Sequence, residues 1–155
     1  MTNMYKNGVA QTIENLFSRE TIIVIDINAN IQDVWSLLTN VVKQNIWNST
    51  LIAIEGEMML GGKLKIRSKL APNKVFKIKV SCFEPHSKMI WRGSNGNRIF
   101  TLKKIEHNWT KVAISEKISG LFYPLYKKHI PDFDDQFNQF ASDLKAEAEA
   151  QIISD

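Results

Sequence analysis

Residues 33–51, DVWSLLTNVVKQNIWNSTL, set two tryptophans and two short apolar stretches between a first strand and a long run of further strands. Asn30 is a helix cap for this stretch, with Asp33 three residues on as a variant of the capping box. Ile31, Val34, Trp35, Leu38 and Val41 recur at helical spacing, so one face of the helix is apolar. Asn40 stops it, and VVKQNIW makes a second, shorter helix. Upstream, RETIIVIDI at 19–27 is rich in β-branched residues and reads as a strand. Residues 1–18 are then an N-terminal extension and a candidate short helix, while 19–153 form a single domain.

Downstream the texture changes to alternation. IAIEGE, GGKLKIRSKL, KVFKIKVSCFE, KMIWRGS, RIFTLKKIE and TKVAISEKIS each read as a strand, separated by turn signals such as Gly61-Gly62 and Asn95-Gly96. With the first strand that makes seven. From Leu121 the chain is helical, with Leu125, Ile130, Phe133, Phe137, Phe140, Leu144 and Ala148 close to one stripe. A proline inside a helix costs ~3 kcal/mol, so Pro131 divides this segment into a short helical turn and a main helix. A meandering antiparallel sheet with one apolar face must cover that face, and the terminal helix is the element long enough to do so. The expected class is α+β: a seven-stranded antiparallel sheet, a long C-terminal helix, and two short helices between strands 1 and 2.

The turns predict a register. Pairing Ser94 with Asn97 sets Trp91 opposite Phe100, and a turn centred on Asn108 sets Phe100 opposite Glu116. Pairing Glu84 with Ser87 sets Val80 opposite Trp91 and Cys82 opposite Met89, and the Ala71 turn sets Ile66 beside Phe76 and Leu64 beside Ile78. All four hairpins then turn their apolar residues to one face and Lys63, Lys65, Arg67, Lys77, Lys79, Arg92 and Lys103 to the other. A slip of one residue in any hairpin would mix the two sets. Glu116 and Arg98 break the rule, lying diagonal to each other on the apolar face. Diagonal neighbours stand ~7–8 Å apart, within reach of two long side chains. A carboxylate on an apolar face is costly unless paired or wet. The two readings are a structural ion pair near the sheet's rim and a polar anchor inside a ligand cavity.

Composition excludes several classes. The net charge of +4 comes from lysines spread along strands rather than clustered on an arm or helix, which argues against nucleic acid. No apolar run approaches the ~20 residues that span a bilayer, and the start MTNMYKNGVAQTIENLF lacks the pattern of a secretory signal. The single cysteine, Cys82, cannot form an internal disulfide, and a reducing cytoplasm fits. Facing inward among apolar residues, it reads as an inert buried thiol. His86, His107 and His129 are too scattered to supply a metal site, and no nucleophile elbow, phosphate loop or cofactor fingerprint is present. Neither a metal nor a cofactor is expected.

Taken with the pattern of elements, DVWSLLTNVVKQNIWNSTL, IEGEMMLGGKLKI, VSCFEPHSKMIWRGSNG and SEKISGLFYPLY, followed by the helix ending FASDLKAEAE, resemble the SRPBCC superfamily. This is the START-like or Bet v 1-like group, and within it the chain is similar to the bacterial polyketide cyclase/dehydratase-like branch. The resemblance covers roughly residues 19–150. It implies a helix-grip fold, in which the sheet curls around the terminal helix and leaves a cavity closed at one end by the paired short helices. It also implies that Trp35 anchors the first helix to the sheet and that Trp47 sits at the cavity mouth. Where many relatives carry histidine in a G-x-H-x-F pattern, this chain has Arg98 in GNRIF. Arginine stays protonated and cannot act as a general base, which favours anion recognition or pairing with Glu116.

The candidate ligand-binding residues are Trp47, Phe76, Ile78, Val80, Met89, Trp91, Arg98, Phe100, Glu116, Phe122, Phe133 and Phe137. The expected partner is a small hydrophobic or amphipathic molecule, lipid- or polyketide-like, bound by a non-catalytic carrier or sensor. One alternative is a cyclase/dehydratase-like enzyme with Glu116 as its acid–base residue. The other is a protein-binding module of the chaperone-activator kind. Glu116 is the one inward residue able to titrate usefully near neutral pH, and its cationic neighbour weighs against catalysis.

Overall fold

All the strands join one antiparallel sheet. The computed structural model describes residues 5–94 and 96–154. Its strands are β1 (Gln11–Asn15), β2 (Ser18–Ile27), β3 (Leu51–Gly56), β4 (Lys63–Ser68), β5 (Phe76–Glu84), β6 (Lys88–Arg92), β7 (Gly96–Glu106) and β8 (Trp109–Ser119). They lie in the order β1-β2-β8-β7-β6-β5-β4-β3. Helices α1 (Ile31–Thr39) and α2 (Val41–Trp47) carry the chain from β2 to β3. After β8 come α3 (Tyr123–Tyr126), a 3-10 turn (Lys127–His129) and α4 (Asp134–Ser154). The class is α+β with eight strands rather than the seven expected, in an arrangement consistent with a helix grip.

The extra strand is β1, where a short helix was the candidate. Gln11–Asn15 has no apolar stripe to bury as a helix, and it pairs instead with β2 through a turn at Leu16 and Phe17. Thr12 and Thr21 share a side-chain hydrogen bond of 2.9 Å across that pair.

The turn chemistry around α1 and α2 is local. The Asp33 backbone N–H donates to Asn30 Oδ1 at 2.8 Å, and Asn30 Nδ2 donates back to Asp33 Oδ2 at 2.9 Å. Asn40 ends α1 and also caps α2, accepting from the Lys43 N–H at 2.9 Å. The two tryptophans then tie this helix pair down. Trp35 packs on Phe83, with ring centroids 5.2 Å apart. The Trp47 indole N–H donates to the Leu37 carbonyl at 3.2 Å, and its ring meets Phe140 at 5.4 Å.

Pro131 divides the C-terminal segment as expected, so α4 begins after it. Phe137, Phe140, Ala141, Leu144 and Ala148 form its buried stripe, packed on β2 and α1. Leu125, expected on that stripe, is exposed because α3 ends before the proline.

Side chains face as expected except around Cys82, while the pairing differs in three hairpins. Ile66 pairs with Phe76, Leu64 with Ile78, and Val80 with Trp91. Across β6 and β7 the strands close at Gly93 and Gly96, one residue earlier than the Ser94–Asn97 pairing expected, so Trp91 stands opposite Arg98 and Met89 opposite Phe100. A two-residue turn at His107 and Asn108, together with a bulge after Lys104, shifts β7 against β8 by the same amount, and Phe100 meets Ile114. Both shifts are of two residues, which preserves the inward face. The bulge between Val80 and Cys82 is different, since one extra residue reverses the alternation. Phe83 is therefore opposite the buried Met89, while Cys82, expected inward, pairs with Ile90 and is half-exposed.

Candidate ligand cavity

A cavity of about 260 Å³ lies between the sheet and the first turns of α4, just under the ~300–1,000 Å³ usual for small-molecule sites. Its apolar wall is built from alternate residues of the curved sheet: Ile66, Phe76, Ile78, Trp91 and Ile118. Phe133, Gln136 and Phe140 of α4 face them. The exposed wall residues Leu70 and Lys74 of the β4–β5 loop, with His129 and Pro131 before α4, mark the mouth.

Two polar groups are set into this wall. Arg98 and Glu116 are direct cross-strand partners rather than diagonal ones, a consequence of the β7–β8 shift. Arg98 Nη2 donates to Glu116 Oε2 at 3.2 Å, with the two side chains 23% and 20% exposed. The guanidinium also sits over the Phe137 ring, 5.0 Å from its centroid. A planar guanidinium is the one cation shape that can pair a carboxylate edge-on while covering an aromatic face.

The second group closes the α2 side. Gln44, Asn48 and Thr50 are buried, line the cavity, and bond to one another. Asn48 Nδ2 donates to Gln44 Oε1 at 3.0 Å, Thr50 Oγ1 donates to Asn48 Oδ1 at 2.6 Å, and Gln44 Nε2 donates to the Leu38 carbonyl at 2.7 Å. Sequence reasoning missed these three. The available signal was Gln44, a polar residue four before Asn48 and three before Trp47 on the face that α2 buries.

Of the twelve candidates, Phe76, Ile78, Trp91, Arg98, Glu116 and Phe133 come together on the cavity wall. Val80, Met89 and Phe100 are fully buried in the packed core beside it. Phe137 lies beneath Arg98 and stacks on Phe133. Trp47 is held between α1 and α4 rather than at the mouth, because its N–H is committed to Leu37. Phe122 is 65% exposed, away from the cavity lining, since α3 turns outward before Pro131.

Arg19 holds the mouth segment by donating to the Pro131 carbonyl at 2.7 Å, and its guanidinium covers Phe133. Nearby, burial first and then the Glu14 carboxylate hold the Tyr123 hydroxyl above the ordinary phenol pKa. Among the described residues no three His, Cys, Asp or Glu side chains gather closely enough to hold a metal ion. None of the described helices is long and apolar enough to cross a membrane.

No protein-family model matches the sequence, and no curated protein matches it either. Solved structures do. The Zhui aromatase/cyclase from Streptomyces sp. R1128 superposes with a TM-score of 0.68 at 12% identity, covering 87% of this chain and 96% of its own. A START superfamily protein from Mycobacterium smegmatis superposes with a TM-score of 0.62 at 10% identity, over 85% and 98% of the two chains. The chain shares the START-like fold of these structures. A dimeric protein from Colwellia psychrerythraea is similar to the same START-like frame, with a TM-score of 0.64 at 18% identity over 84% and 96%. At these identities the likeness is one of fold, and the START-like frame carries different side chains in each protein.

Proposed function

We propose that this chain binds a small hydrophobic or amphipathic molecule in the cavity between the sheet and α4, as a non-catalytic carrier or sensor. The observation that carries the reading is the wall itself: apolar on most sides, with one Arg98–Glu116 pair at a fixed point. Apolar walls supply affinity through burial, and a few placed polar groups supply orientation. A cavity of about 260 Å³ suits a compact ligand, or one end of a longer amphiphile leaving through the mouth at Leu70 and Pro131. The similarity to a START superfamily protein and to an aromatase/cyclase supports a ligand-binding use of the fold.

Native mass spectrometry of the protein purified from its own host tests this directly, by revealing a co-purifying small molecule. A fluorescent lipid probe is expected to bind near 1:1, and Trp91→Ala, which removes a wall residue, is expected to change its affinity. Absence of both a native ligand and probe binding would refute the reading. The enzymatic alternative has one observation in its favour, a carboxylate on the cavity wall beside an aromatase/cyclase-like frame. It requires that Glu116→Gln abolish turnover of a substrate that still binds.

A further inference from the structure

Five exposed apolar side chains gather where the β1–β2 turn meets the start of α3. Leu16, Leu121, Phe122 and Leu125 are 65–75% exposed, and Phe17 is 46% exposed. Gly120, at φ 149°, lets the chain turn off β8 there in a conformation that favours glycine. Its N–H donates to the Phe17 carbonyl at 3.1 Å, which sets Leu16-Phe17 beside Leu121-Phe122. Lys127 pairs with Glu14 at 3.5 Å and ties the end of α3 to β1. Within residues 121–126 only Tyr123 is buried, so seating that side chain leaves Leu121, Phe122 and Leu125 turned outward. The patch exposes roughly 600 Å², the upper end of the ~300–600 Å² found for the largest patch on a monomer, and a patch of that size marks an interaction site.

We infer that this patch is the interface with a second copy of the chain, related to the first by a two-fold axis. The inference stands apart from the cavity reading. A two-fold interface uses the same patch on both copies, so the pair would bury roughly 1,200 Å², the lower end of the range for specific complexes. The border of the patch suits a copy of itself. Glu14 carries one sign and Lys127 and Lys128 the other, so each can meet its opposite across the axis. An anionic bilayer asks instead for apolar tips and unpaired cations in one place. Here Lys127 is already matched by Glu14, while the cross-strand cations Lys63, Lys65, Lys77, Lys79 and Arg92 lie on β4, β5 and β6, beyond β8 and β7 from the β1–β2 turn.

Sedimentation velocity of the full chain over about 1–200 µM tests the inference, with a monomer–dimer transition expected at roughly tens of micromolar, as suits a small interface. Phe122→Glu and Leu16→Glu change solvent-exposed residues on two different elements, and each should weaken dimerisation by about tenfold or more. At concentrations where wild type is monomeric, both variants should keep its circular dichroism and urea midpoint, which separates loss of the dimer from loss of the fold. Ile46→Glu, at an apolar residue of α2 that is just as exposed, should dimerise like wild type. A chain that is monomeric throughout overturns the inference, and so does a dimer that persists in both patch variants. A dimer broken equally by Ile46→Glu overturns it too. Co-sedimentation with vesicles of neutral and of anionic phospholipid runs alongside. Vesicle binding by a monomeric chain, abolished by Phe122→Glu, would assign the patch to a lipid surface and overturn the second copy as its occupant.

Discussion

The two ends of the helix–sheet interface solve opposite problems. Toward the C-terminal half of α4, Ala141, Leu144 and Ala148 pack on β2 and α1 with no exposed surface, and Ile27, Val34, Leu38 and Val112 around them are fully buried. Small alanines let α4 approach closely there, and α1 fills what remains. Toward the other end, Phe133, Gln136 and Phe140 face the sheet across the cavity, whose mouth is bordered by the β4–β5 loop and the segment before α4. That end collects the half-buried wall residues, the Arg98–Glu116 pair and the unpartnered N–H groups of Trp91 and Arg98. A sheet and a helix can be sealed along part of their length for stability and left apart along the rest for binding.

Truncation on each side measures that division most strongly. Leu144→Ala at the sealed end should cost about 3–5 kcal/mol in denaturant unfolding, because it opens a cavity in packed surroundings. Ile78→Ala on the cavity wall should cost roughly half as much or less, since the half-buried side chain already borders open space. Equal costs would mean that the open end is packed as tightly as the other.

The ion pair comes next. Arg98→Ala strands Glu116 in an apolar wall, and with both side chains about one-fifth exposed the cost should be about 1–3 kcal/mol, below that of a fully buried pair. Replacing both by apolar residues of similar volume should recover much of it. If the single variant unfolds like wild type, the pair is a solvated rim contact and the comparison loses its polar anchor.

A smaller effect is expected of Glu116→Gln. It should change probe affinity by about tenfold or less, the scale of one ~1.4 kcal/mol contact, with no turnover to lose. Loss of a measured turnover with binding intact would move the open end from carrying to catalysis.

How much of this could be read in the sequence differs between the two ends as well. Inward and outward faces were legible along most of the sheet, because a side-chain period of two survives the two-residue slips at β6–β7 and β7–β8. The slips themselves were not, because β6 and β7 close at Gly93 and Gly96, one residue before the turn that Asn95-Gly96 suggests, and a bulge after Lys104 adds to the tight turn at His107 and Asn108. Trp91 therefore faces Arg98, and Arg98 faces Glu116, a row that turn chemistry alone did not specify. The bulge after Val80 sent Cys82 outward and Phe83 inward, and no single residue there announces it. On α2, Trp47 drew the eye as a ligand contact, while the polar Gln44 and Asn48 beside it line the cavity.

The smallest expected effect lies outside the cavity lining, at Tyr123 of α3. Its side chain is fully buried, and its hydroxyl makes no hydrogen bond of ordinary geometry among the described residues, with the Glu14 carboxylate its polar neighbour. Removing a polar atom that gains no bond is nearly free, so Tyr123→Phe should change stability at pH 7 by less than about 1 kcal/mol in either direction. The difference should then depend on pH. Burial, with Glu14 nearby, raises the folded-state pKa of Tyr123 above its ordinary value of 10.0. The folded chain therefore holds this proton more tightly than the unfolded one. Its contribution to stability is complete below pH ~10 and is lost as the pH rises through the folded value. Urea unfolding at pH 7 and again above pH 10 should find Tyr123→Phe gaining on wild type at the higher pH. A loss of well over 1 kcal/mol at pH 7 would mean that the hydroxyl makes a bond the fold relies on. The open end would then be more fully satisfied than its unpartnered atoms indicate.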